Sequence, residues 1–324
     1  MNKQQIKELL LESPKEILLS QISPDDVNRL RIITDGITFE SFVRKPEKNS
    51  VFNGKLYICL SAVFHGYKKY PVFHRASWQE LLGGILVCID DPTRQDINHQ
   101  VSTYFFGNKD LNYIDLVVKI ARHFANIYSI NYENIVFISN SNGGFAALNC
   151  ANILQGSSAI TFNPNINIEL WSSHKKTEQK PHSKLFEEIF KVKFSDKALS
   201  NRFDVTSIIS NQKSKFFLYF NKASSWDAEQ LNYFCSKTGF EASLELQKKG
   251  NVFLYTNNVP AKDPHMAFPN ENSIFFIEDI LSKTEISEKD DRFFRLLSSY
   301  MFLYYGKDKQ YNSLITDLNK LISS

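Results

Sequence analysis

The sequence predicts an α/β architecture, a mostly parallel sheet with helices on both faces. Three observations predict it. Short apolar runs rich in β-branched and aromatic residues recur at 55–60, 84–89, 135–138, 158–162, 215–220 and 252–256. Helical patterns separate several of them. Between Leu111 and Tyr128, for instance, Ile114, Val117, Val118, Ile120, Ala121 and Phe124 share one face. The run Ile135-Val136-Phe137-Ile138 passes through Ser139-Asn140-Ser141-Asn142-Gly143-Gly144 straight into the alanine-bearing stretch that begins at Phe145. That is a strand, a tight turn and a helix with no intervening loop.

Residues 1–30 read as one or two short helices, the second opening at Ser23-Pro24-Asp25-Asp26. Ile32 to Arg44 reads as a small hairpin around Asp35-Gly36. The buried strand Lys55 to Leu60 runs into Ser61-Ala62-Val63-Phe64, and a second strand covers Gly84 to Ile89. After the helix Leu111 to Tyr128 come the strand–turn–helix unit, whose helix covers Gly143 to Leu154, and a strand from Ser158 to Phe162. Strand Lys215 to Phe220, helix Asp227 to Ser236, strand Val252 to Thr256, a loop and helix Asn272 to Leu281 close the pattern. The chain therefore divides into an N-terminal segment 1–50, a catalytic-type domain 51–283 and a C-terminal helical extension 284–324. Residues 165–210 form a cap-like insertion bearing Lys175, Lys176, Lys180, Lys184, Lys191 and Lys193. This is either a solvated cap or a basic lip for an anionic substrate. In the extension, Phe293, Phe294, Leu296, Leu297, Tyr300, Met301, Leu303 and Tyr304 make an aromatic stripe at helical spacing. It is expected to pack on the body or on a second subunit, and not on a cofactor.

Composition narrows the function classes. With 324 residues and 43% apolar content the chain can bury a sizeable core. A net charge of +3 gives no argument for a nucleic-acid partner. The four cysteines Cys59, Cys88, Cys150 and Cys235 are widely spaced, with no paired motif and no metal-ligand cluster. Met1 to Glu16 is an amphipathic pattern broken by charges, without the apolar core of a signal peptide. No run is long enough to span a membrane. A cytoplasmic, reducing location is expected.

The turn around Ser141 carries the chemistry. In a nucleophile elbow the central side chain is pushed out of a sharp turn, and small residues two before and two after it let strand and helix backbones pass. Ser139 and Gly143 occupy those positions. A strand-to-helix turn capped by Asn or Ser is the plain alternative. If Ser141 is a nucleophile, the N–H of Asn142 is one oxyanion donor, and a base and an acid must assist it. Only His174, His182 and His265 follow Ser141 in the chain. His265 lies in a loop between a strand and a helix, whereas His174 and His182 lie in a lysine-rich polar stretch. His65 and His74 precede the elbow and can line a cleft, and His123 sits within a helical pattern. The acid is expected just after strand 215–220, where Asn221, Ala223 and Ser224 supply no carboxylate. Asp227 is the nearest candidate, and it equally reads as a first-turn acid favoured by a helix dipole. Asp263 and Glu229 are alternatives, as is a Ser–His pair supported by a carbonyl or amide.

Taken in order, these parts resemble the α/β-hydrolase superfamily, and within it the bacterial capsule-polysaccharide O-acetyltransferases of that fold. The resemblance rests on Ser61-Ala62-Val63-Phe64, on Ser139-Asn140-Ser141-Asn142-Gly143-Gly144, on Phe162-Asn163-Pro164 and on His265. It spans about residues 55–280. The chain departs from it at Ser139, which replaces a glycine, and at Ala223 and Ser224, where an Asp is missing. The resemblance implies acetyl-CoA as acyl donor, an acyl-Ser141 intermediate, His265 as general base, and an oxyanion hole from Asn142 with Ala62 or Val63. It implies a glycan or polysaccharide as acceptor. A serine esterase or deacetylase with the same residues is a second reading. A non-catalytic partner in polysaccharide biosynthesis or secretion is a third, suggested by the missing early acid and the aromatic C-terminal helices.

Overall fold

Ten strands hydrogen-bond into one sheet in a computed structural model, described here over residues 3–46, 52–62, 71–93, 103–173, 187, 202–269 and 272–306. The strands are β1 (Lys15–Leu18), β2 (Asn28–Thr34), β3 (Ile37–Arg44), β4 (Leu56–Leu60), β5 (Ile85–Ile89), β6 (Ile135–Asn140), β7 (Ser158–Phe162), β8 (Lys215–Asn221), β9 (Gln247–Lys249) and β10 (Val252–Asn257). Their order is β1-β2-β3-β5-β4-β6-β7-β8-β10-β9. Strand β3 runs antiparallel to both neighbours and β9 antiparallel to β10, while every other pairing is parallel. Every residue of β4, β5, β6 and β7 is buried. This is what continuous apolar runs require of strands covered on both faces.

The helices are α1 (Lys3–Leu11), α2 (Gln79–Leu82), α3 (Tyr113–Ile127), α4 (Ser141–Ile153), α5 (Ser225–Thr238), α6 (Ser273–Ser282) and α7 (Glu288–Gly306). Alternate strand residues feed two cores, because successive side chains of a strand point to opposite faces. On one face, Phe137 and Leu218 pack with Phe124 of α3, Phe145 of α4 and Phe234 of α5. On the other, Ile138 and Phe217 pack with Ile277 of α6 and Phe294 of α7. Parallel strands β4, β6, β7, β8 and β10 bring Ser61, Asn140, Asn163 and the loops after Asn221 and Asn257 to one edge of the sheet. That carboxyl edge is where sites form in open α/β sheets.

The N-terminal segment differs from the expectation. No second helix starts at Ser23. Instead Ser23 N–H and Oγ donate to Asp26 Oδ2 at 2.8 and 2.9 Å, closing one turn between β1 and β2. The hairpin of β2 and β3 is not an appendage, since Ser41 to Arg44 pair with Leu86 to Ile89 of β5 and continue the main sheet. Two edge strands, β1 and β9, have no counterpart in the sequence reading, since β1 is short and half charged and β9 is short and wholly polar or charged. Phe293, Phe294, Leu297 and Met301 of the aromatic stripe pack on the body, while Tyr304 is exposed. The Phe294 ring lies 4.7 Å from Tyr255 and 5.5 Å from Phe217, and Tyr255 Oη donates to the Phe294 carbonyl at 2.7 Å. Most of the cap insertion, including the lysine run, lies outside the described residues. Its two ends meet in hydrogen bonds from Ile168 N–H to the Phe203 carbonyl (3.1 Å) and from Val205 N–H to the Ile166 carbonyl (3.0 Å).

Candidate active site

Strand β6 ends at Asn140, and Ser141 then turns the chain into α4 with a left-handed φ of 51°. A non-glycine residue there is strained, and such strain persists only where surrounding contacts hold it. Two hydrogen bonds hold it. Ser141 N–H donates to the Asn163 carbonyl at 3.1 Å, and Asn165 N–H donates to the Ser141 carbonyl at 3.0 Å. The small flanking residues are explained by close approach. A Cβ on Gly143 would lie 2.2 Å from Ser139 Oγ and 2.5 Å from the Ser61 carbonyl. Ser139, in the position of the usual glycine, donates its hydroxyl to the Leu60 carbonyl at 2.7 Å, so the extra side chain is satisfied. Gly143→Ala is accordingly expected to destabilise the fold by about 3 kcal/mol through overpacking against backbone. The shift of the urea midpoint measures it, and an unchanged midpoint would refute this account of the turn.

Asp227 and His265 come together at the same edge. His265 Nδ1 donates to the Asp227 carboxylate, with Oδ1 and Oδ2 at 2.8 and 3.0 Å. Asp227 is reached because α5 begins late. Ser224 caps the helix by accepting from Asp227 N–H at 3.4 Å, which leaves the acid in the first turn. It is both a first-turn acid and the partner of His265. The side chain of Asp227 is 3% exposed and that of His265 23%. Burial pushes the Asp227 carboxyl above the usual range, against the pull of His265. Burial also works against the charged imidazole of His265, but the hydrogen bond and charge of Asp227, with the charge of Asp263, outweigh it and raise its pKa. A neutral imidazole that donates through Nδ1 carries an acceptor nitrogen at Nε2, the arrangement a general base needs.

Two asparagines tie these parts together, and sequence reasoning gave neither a role. Asn163, itself left-handed at φ 44°, accepts from Ser141 through its carbonyl. Its Nδ2 donates to the His265 carbonyl at 2.6 Å, and its Oδ1 accepts from Asn221 N–H at 2.7 Å. Asn221 then holds both ends of the His265 loop. Its Nδ2 donates to the carbonyls of Val259 and Pro264, both at 2.9 Å. Its Oδ1 accepts from Val259 N–H (2.9 Å) and from Ala223 N–H (3.2 Å). Asparagine alone supplies a carbonyl acceptor and two donors on one short arm. The signal available in the sequence was an asparagine ending each of two neighbouring strand runs, at Asn163 and Asn221. Asn221→Ala removes four side-chain hydrogen bonds, two of them fully buried. It is expected to cost about 2–4 kcal/mol of stability, at about 1 kcal/mol per bond. Chemical denaturation checks it, and a loss under half a kcal/mol would overturn the clamp.

Ala62 N–H donates to His74 Nδ1 at 3.2 Å, so an oxyanion can use that donor only after His74 moves. Asn142 is buried in the first turn of α4, where N–H groups have no intrahelical acceptor. Val63, His65, His174 and His182 lie outside the described residues. His123 accounts for itself structurally, with Nε2 3.1 Å from the Ile22 carbonyl. Asp263 acts on His265 through its charge, and Glu229 lies two residues along α5 from Asp227. Cys59, Cys88, Cys150 and Cys235 are all free thiols. No helix among the described residues is long and apolar enough to cross a membrane.

Without the edge strands β1 and β9, the sheet reads 1-2-4-3-5-6-7-8 with its second strand reversed, and the sharp Ser141 turn follows the fifth. This is the α/β-hydrolase fold, and solved structures agree with it. A mutant of the capsule O-acetyltransferase of Neisseria meningitidis serogroup A, in complex with CoA, aligns at a TM-score of 0.54 and 16% identity, covering 82% of this chain and 100% of that one. A glycosylation associate protein complex from Streptococcus agalactiae aligns at 0.53 and 16% identity, covering 78% of this chain and 45% of that one. The 2,6-dihydroxy-pseudo-oxynicotine hydrolase aligns at 0.53 and 14% identity, covering 79% and 68%. No family model matches the sequence, and no curated protein matches it either. The likeness is therefore one of fold.

Proposed function

We propose that this protein is a serine-dependent acyltransferase that moves an acetyl group from acetyl-CoA to a hydroxyl of a bacterial surface glycan. The observation that carries the reading is the His265–Asp227 pair, 2.8 Å apart and joined through Asn163 to the strained Ser141 turn. In the first half-reaction Ser141 Oγ attacks the thioester carbonyl while His265 takes its proton. The C–S bond breaks, and the CoA thiolate leaves with that proton. In the second, the glycan hydroxyl gives its proton to His265 and attacks the acyl ester. A new C–O bond forms as the bond between the acyl carbon and Ser141 Oγ breaks, and Ser141 Oγ takes the proton back from His265. Asn142 N–H, with Ala62 or Val63, is assigned to the oxyanion. One such donor is worth about 3 kcal/mol in the transition state. The choice of donor and acceptor is supported by the likeness to a CoA-bound capsule O-acetyltransferase, and the choice of base by the hydrogen bond of His265 to Asp227 and its link through Asn163 to the Ser141 turn.

Intact-protein mass spectrometry after incubation with acetyl-CoA tests this reading, with Ser141→Ala beside the wild type. A gain of one acetyl group on the wild type alone is the expected result. Rapid hydrolysis of simple acetyl esters with no use of acetyl-CoA would replace transfer by esterase or deacetylase activity. Equal inertness of both proteins would leave the non-catalytic partner reading.

A further inference from the structure

A hollow of about 930 Å³ opens at the amino edge of the sheet, opposite the edge that carries Ser141. That volume falls within the range of small-molecule sites, about 300–1,000 Å³. The connections into β6, β7 and β8 meet there. Asn131, Tyr132 and Glu133 precede β6, Gln155 precedes β7, and Lys213 and Lys215 enter β8. The protein itself fixes these walls. Gly156 N–H donates to Ser214 Oγ at 3.2 Å, and Ser214 Oγ donates to the Ala151 carbonyl at 2.7 Å. Lys215 N–H donates to the Ser157 carbonyl at 3.1 Å, and Asn134 N–H to the Asn131 carbonyl at 2.9 Å. The polar side chains that line the hollow are not spent on one another. Among the described residues, no hydrogen bond or ion pair engages the side chains of Asn131, Glu133, Gln155, Lys213 or Lys215, or the Tyr132 hydroxyl.

We propose that this hollow is a second, non-catalytic site that holds a neutral oligosaccharide. A sugar ring presents a rim of hydroxyls and an apolar face of C–H bonds, and the lining matches both. The amides of Asn131 and Gln155 each donate and accept, which suits neighbouring hydroxyls. Lys213 and Lys215 add donors, and Glu133 adds an acceptor. Tyr132, 39% exposed, supplies an aromatic ring for the C–H face. Charge argues against a phosphate or nucleotide. The two ammonium groups share the hollow with a carboxylate, and no arginine is among its described lining residues. Position separates this site from the chemistry. The six residues of β6 lie between Glu133 and Ser141, a span of about 20 Å at roughly 3.3 Å per residue. The sugar held here is therefore not the unit that meets Ser141, and the site stands apart from the acyl-transfer reading.

The test is titration calorimetry on the full chain with three neutral probes, maltotriose, cellotriose and triacetylchitotriose, and with inorganic phosphate beside them. At least one trisaccharide is expected to bind with a Kd of about 1 mM or lower. Tyr132→Ala should weaken that binding by about tenfold, as truncating a central aromatic contact does. Gln155→Ala should weaken it too, and keeps the comparison if the tyrosine variant fails to fold. Both positions are exposed, so the fold should tolerate either change. Ser141→Ala should bind as the wild type does. No trisaccharide bound at about 10 mM overturns the proposal. Binding untouched by both substitutions, binding lost in Ser141→Ala, or phosphate bound in place of sugar overturns it equally. Acetylation of Ser141 in a protein that binds none of the three sugars removes this site alone. Tyr132-dependent sugar binding in a wild type that is never acetylated keeps the site and removes the acyl-transfer reading instead.

Discussion

Replacing Ser141 by alanine is expected to lower acyl transfer by about 10⁴-fold or more, because members of a nucleophile–base pair act as a unit. The stability change should be small, within about 0.5 kcal/mol. Alanine keeps the Cβ and so keeps the same left-handed strain at φ 51°. The two hydrogen bonds that hold the turn use the backbone N–H and carbonyl of Ser141, which alanine retains. Turnover of acetyl-CoA or an acetyl ester, read beside the melting curve, checks both halves. Activity within tenfold of wild type would move the nucleophile elsewhere.

Asp227→Asn should cost about 10⁴-fold in kcat with KM little changed, the penalty for the wrong imidazole tautomer. The amide can turn its NH₂ toward Nδ1, which then accepts and leaves the proton on Nε2. The base is thereby spent before the reaction starts. The pH profile supplies a second readout. On the proposed mechanism activity needs neutral His265, so the rate should rise with pH through a midpoint above the usual imidazole value of about 6.5. Burial opposes that upward shift, and the hydrogen bond and charge of Asp227 produce it together with Asp263. In Asp227→Asn the burial remains and the Asp227 charge is gone, so the midpoint should move to lower pH. The linkage has a matching sign. A histidine whose pKa is raised on folding stabilises the fold fully below its unfolded pKa, and that contribution fades as pH rises through the folded value. A midpoint unmoved by Asp227→Asn would mean that the carboxylate does not govern His265.

The fold was legible because its signals are local. Continuous apolar runs such as Ile135 to Ile138 mark strands buried on both faces, and the spacing of Ile114, Val117, Val118 and Ala121 marks a helix beside them. The edge strands were not legible. Lys15-Glu16-Ile17-Leu18 and Gln247-Lys248-Lys249 have composition that fits loops equally well, and pairing with β2 and β10 makes them strands. Ser23-Pro24-Asp25-Asp26 carries a true helix-start signal, but its hydrogen bonds close a single turn and stop. The hairpin at Asp35-Gly36 was visible, while its place in the main sheet depended on β5, more than forty residues away.

The sequence by itself determined the strand–turn–helix unit at Ser141 and pointed to His265 as the candidate base. Ser139, Ser141 and Gly143 are fixed by their spacing, since only small residues tolerate the approach of strand and helix at that turn. Chain order and loop context then single out His265. Tertiary structure alone decided which carboxylate meets that histidine, and what holds both in place. Asp227 and His265 are 38 residues apart, and Asn163 and His265 are 102 apart. Bonds over such separations leave no periodicity or motif in the chain. They exist because parallel strands deliver Asn163, Asn221 and the His265 loop to the same edge of one sheet.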